Sequence, residues 1–133
     1  MLAVTLIAIT LQIFFGGLVA GTATYSATAV GITSVSGLIA ALSTAGGPAL
    51  LIHASLGVLI LLMGIGTTFI ALRYHKRSVT VTTLLGLLSI SLAVLGGYLW
   101  SSSDFTNVAA LPLMGNAATG AYAFLFLSLY YTK

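Results

Sequence analysis

The chain has 133 residues, of which 59% are hydrophobic and 4% charged, and it contains no cysteine. A soluble domain carries roughly 25% charged residues, so water cannot solvate this surface and lipid must be the solvent for much of it; the mean hydropathy of +1.20 agrees. The absence of cysteine excludes disulfides, Cys-based zinc sites, iron–sulfur clusters and thiol catalysis. The net charge of +3 arises from Arg73, Lys76, Arg77 and Lys133 against Asp104. Three of these four basic residues share one short segment, a pattern that sets membrane orientation and does not suit a nucleic-acid partner.

Crossing a bilayer takes about 20 mostly apolar residues in a helix. Taken in order, the first stretch of that kind is residues 2–20, whose only strongly polar side chain is Gln12. It lacks a basic n-region and reads as a true span, not a signal peptide. Residues 21–47 form a long outer connection rich in Thr, Ser, Ala and Gly, without charge, whose centre at 30–42 could make a short interfacial helix. An uncharged loop of this length is expected to cover the outer helix ends or to meet a partner. The second span is 48–72. The turn Arg73-Tyr74-His75-Lys76-Arg77-Ser78 then makes an antiparallel hairpin with the third span, 79–100. His75 is expected to be solvated in that turn, and Asp104 to cap or break a helix end. The fourth span is about 108–131. By the positive-inside rule the 73–78 turn and both termini are cytoplasmic, in the cell membrane. Tyr98, Trp100, Tyr130 and Tyr131 sit where an aromatic belt would place them. Tyr122 lies mid-span, and its hydroxyl needs a partner on a neighbouring helix.

The expected fold is therefore an all-α integral membrane protein, one domain over residues 1–133. It is a four-transmembrane-helix bundle built from two repeated helix pairs. The repeat is visible in Gly16-Gly17, Pro48 and His53-Ala54-Ser55-Leu56-Gly57 against Gly96-Gly97, Pro112 and Asn116-Ala117-Ala118-Thr119-Gly120. Helices in lipid associate through close backbone approach and interhelical hydrogen bonds, so small residues should mark the seams. The candidates are Gly17 and Gly21, Gly57 and Gly64, the ridge Ser89-Ala93-Gly97, and the ridge Gly115-Thr119-Ala123.

His53, roughly 7 Å below the outer start of its span at helical rise, is the main candidate for chemistry. Its imidazole could ligate haem iron, with Gly57 one turn later leaving room for a flat macrocycle. It could instead be hydrogen-bonded to a Ser or Thr on a neighbouring helix. Asn116 lies at similar depth, followed one turn later by Gly120, and could hydrogen-bond a ligand, a water or His53, or only help association. Gln12 faces either the bundle or a neighbour. No span contains Asp, Glu, Lys or Arg, which argues against a pump or channel. No acid/base pair, nucleophile–base pair or phosphate loop is present.

The stretch Leu11-Gln12-Ile13-Phe14-Phe15-Gly16-Gly17-Leu18-Val19-Ala20-Gly21-Thr22 resembles the first helix of a haem A synthase half. Ile52-His53-Ala54-Ser55-Leu56-Gly57 resembles the start of its second helix, where a haem-ligating histidine sits. The resemblance implies a four-helix bundle, and of the family's haem ligands only His53 carries over. Asn116 stands where the second histidine would be, and the family's acidic residue and outer-loop cysteines are missing. Small transmembrane cytochromes b share a similar H-x-x-x-G helix start. The expected function is a non-catalytic membrane subunit of a larger respiratory or redox complex, in contact with lipid and other membrane subunits. The alternative is a b-type cytochrome binding haem b through His53, with the metal on its imidazole and a quinol nearby. A haem-modifying enzyme ranks third.

Overall fold

The protein is all-helical in the residues described by the computed structural model, which are 1–22, 35–74, 76–103 and 107–132. The elements are α1 (Leu2–Thr22), α2 (Val35–Arg73), α3 (Arg77–Ser102) and α4 (Ala110–Tyr131). All four contain a segment long and apolar enough to cross a membrane: Leu2–Val19, Gly47–Arg73, Arg77–Ser102 and Ala110–Tyr131. His75, Asp104, Lys133 and the first part of the outer connection fall outside the described residues.

The connection after α1 differs from the expected loop. Helix α2 already begins at Val35, so its first third lies before the span. The joint is Gly47, with φ 60° and ψ −158°. Proline disfavours the α conformation in the residue before it and cannot donate to the preceding turn. Pro48 therefore interrupts the helix, and glycine alone takes the positive φ without strain. The span proper starts afresh at this break. Pro112 lies inside the first turn of α4, where its missing N–H costs no hydrogen bond.

The helices form a ring in which α1 packs on α2, α2 on α3, α3 on α4 and α4 on α1. The diagonal pairs α1/α3 and α2/α4 have no Cα atoms within 8 Å. A central core of Leu6, Ala8, Ile9, Ile60, Ile90, Ala121 and Leu125 draws on all four helices. A second cluster, Val19, Leu50, Trp100 and Ala110, closes the end of the bundle where α1 and α3 finish. Trp100, expected in the aromatic belt, is 7% exposed and belongs to this cluster. Tyr98 and Tyr130 do face outward.

Several close approaches between helices fall on glycines. A methyl group built at Gly86 would stand 2.9 Å from Leu125, and one at Gly64 2.9 Å from Ile90. At Gly96 it would meet Met114 Cγ at 2.8 Å and the Ala110 carbonyl at 3.3 Å. The expected seams are reapportioned accordingly. Gly57 and Gly64 serve different neighbours, α1 and α3, while Gly17 and Gly115 have nothing within 4 Å. The Gly115-Thr119-Ala123 ridge lies on the outside of the bundle.

Candidate functional site

Two polar–x-x-x–Gly stripes face each other where α1 meets α2: Gln12 with Gly16, and His53 with Gly57. Because the helices are antiparallel, each polar side chain lies against the other helix's glycine. A methyl group at Gly16 would stand 3.0 Å from His53 Cε1, and one at Gly57 3.3 Å from Gln12 Nε2. The two side chains meet at 3.2 Å between Gln12 Nε2 and His53 Nε2. The amide donates to Nε2, which leaves the neutral imidazole's proton on Nδ1. His53 Nδ1 and Gln12 Oε1 are then buried without a protein partner.

This arrangement does not fit a haem. The space beside Gly57 that a macrocycle would need is filled by the Gln12 amide. One edge of the imidazole lies on Gly16, and Nε2 is engaged by Gln12. Iron ligation through Nε2 requires Gln12 to leave and α1 to separate from α2. What the geometry does provide is a polar clasp between two helices.

Asn116 is not part of that clasp. It is exposed on the outside of α4, a helix diagonal to α2. The reason is a difference of register between the two helix pairs. In each, the first glycine of the Gly-Gly pair seats a side chain of the next helix: His53 on Gly16, Met114 on Gly96. Met114 is two residues past Pro112, whereas His53 is five past Pro48. Asn116 comes two residues after Met114, about 200° round the helix, and so points away. Gly120 turns back toward α3, where an added methyl would stand 3.3 Å from Ser89 Oγ.

Around Asn116 the outward face of α4 is unlike those of α1 and α3. Gly115, Asn116, Thr119, Tyr122, Ala123 and Phe126 are all exposed. Tyr122 stacks on Phe126, with centroids 6.4 Å apart and planes at 10°. Thr119 donates its hydroxyl to the Gly115 carbonyl at 2.9 Å, whereas the Asn116 amide and the Tyr122 hydroxyl have no partner among the described residues. Outward residues of α1 and α3 are mostly aliphatic or aromatic. Their mid-helix hydroxyls are already spent, Thr10 on the Leu6 carbonyl and Ser91 on that of Leu87.

No family model, curated protein or solved structure matches this chain.

Proposed function

We propose that this protein is a small non-catalytic subunit of a larger assembly in the cell membrane, docked to a neighbouring membrane helix through the outward face of α4. The observation that carries this reading is that Asn116, with Tyr122, is exposed on the outward side of a helix long and apolar enough to cross a membrane. Asn116 lies six residues after Ala110, about 9 Å along the helix. A polar side chain at that depth is costly unless it is hydrogen-bonded, and such residues join transmembrane helices. Gly115, Thr119 and Ala123, four apart, let a second backbone come close. In this reading the 73–78 turn and both termini are cytoplasmic. The two helix pairs are copies of one unit, a view supported by the matching roles of Gly16 and Gly96. The respiratory or redox setting comes from the haem A synthase resemblance alone.

The test is gentle detergent extraction from native membranes. The wild-type chain is expected to bring down other membrane subunits in fixed stoichiometry, and Asn116→Leu to weaken that association roughly tenfold. A wild-type chain recovered as a lone, stable monomer would contradict the proposal. The second reading, the b-type cytochrome, rests on the H-x-x-x-G resemblance and needs Gln12 to release His53 Nε2. That reading requires a Soret band that disappears in His53→Ala.

A further inference from the structure

The outward face of α4 carries an amide that the bundle itself leaves unused. At about 100° per residue, Pro112, Gly115, Asn116, Thr119 and Ala123 fall within one arc of about 100°, and all five are exposed. They form a strip about 16 Å long without a large aliphatic or aromatic side chain, bordered by the Tyr122–Phe126 stack. The Thr119 hydroxyl is spent on the Gly115 carbonyl. That leaves the Asn116 amide as the strip's unpartnered polar group among the described residues. The membrane-length segments of α1, α2 and α3 are all more apolar than that of α4. An amide in hydrocarbon is costly until it is hydrogen-bonded.

We propose that the helix covering this strip is α4 of a second copy of the chain, the two related by a twofold axis along the membrane normal. The inference rests on the docking role of α4 proposed above and names its partner. Three basic residues in one turn, Arg73, Lys76 and Arg77, give every copy the same orientation in the bilayer. Two α4 helices that meet are therefore parallel, and each residue meets its own counterpart at its own depth. A primary amide carries both donors and an acceptor, so two Asn116 side chains at a twofold axis each donate to the other. A helix of another sequence satisfies this amide only where it brings a polar group to the same depth, whereas a copy brings one by identity. Gly115, Thr119 and Ala123 match themselves in the same way and allow the close crossing of small-x-x-x-small helices. Twofold pairing of this kind closes at two copies and leaves the rest of the surface free for other subunits.

The chain has no cysteine, so one introduced thiol reports one position. Ala123→Cys, at an exposed small residue, is oxidised in native membranes and the products are separated by mass. A disulfide-linked pair of 13.6 kDa chains is expected, in clear excess over that from Leu88→Cys on the outside of α3. Adding Asn116→Leu should lower the yield about tenfold, and Asn116→Gln, which keeps an amide, should retain most of it. Equal yields from the two thiols, or a yield unchanged by Asn116→Leu, would overturn the proposal. So would the absence of a linked pair where a photoreactive side chain at Ala123 still captures a different subunit; docking through α4 would then stand with another partner. Lipid adducts alone from that position would remove both readings.

Discussion

At the scale of single residues, the telling contact is Gln12 with His53. In lipid an interhelical hydrogen bond contributes about 0.6–2 kcal/mol. Leaving one buried partner unsatisfied costs about 1–3 kcal/mol. Gln12→Leu should therefore destabilise the bundle by about 1–3 kcal/mol, and Gln12→Leu/His53→Phe by less than the sum of the single changes. A double-mutant cycle in reversible micellar unfolding checks this, and strict additivity would show that the two side chains are not coupled. The clasp was legible in the sequence, because Gln12-x-x-x-Gly16 and His53-x-x-x-Gly57 are the same stripe written on two antiparallel helices. Looking for the partner of His53 among Ser and Thr hides that match. Asn116 was legible as a polar residue in a span, but its direction was not, since that depends on which residue of α4 seats on Gly96.

Among the helices, glycine has two different meanings that composition does not separate. Gly96 is pressed between Met114 and the Ala110 backbone, with contacts of 2.8 and 3.3 Å to an added methyl. Gly96→Ala is expected to cost about 1–3 kcal/mol by overpacking. Gly17, with nothing within 4 Å, should accept alanine within about 0.5 kcal/mol. Thermal unfolding of both variants in one detergent gives the comparison, and equal shifts would contradict this assignment of seams. At Gly47 the constraint is the backbone itself. Gly47→Ala puts a Cβ at φ 60°, a conformation that costs about 1–2 kcal/mol for an L-residue. The four long apolar helices were legible from length and hydropathy, because helices of that length and composition suit a bilayer. The continuation of α2 back to Val35 was less so, since a Ser- and Gly-bearing stretch before Gly47-Pro48 also reads as loop.

As a whole, the molecule is a ring of four helices closed on an apolar core, and two of its polar features stand out among the described residues. The Gln12–His53 clasp lies inside, and Asn116 with Tyr122 lies on the outside of α4. The first is explained by holding α1 to α2. The second has no internal explanation, and the proposed function rests on it. The measurement that tests it most directly is site-specific photo-crosslinking in native membranes. A photoreactive side chain at Ala123 is compared with one at Leu88, an exposed aliphatic position on α3. A discrete adduct to another membrane subunit from Ala123, and lipid adducts alone from Leu88, is the predicted result. Lipid adducts alone from both positions would contradict the docking role of α4.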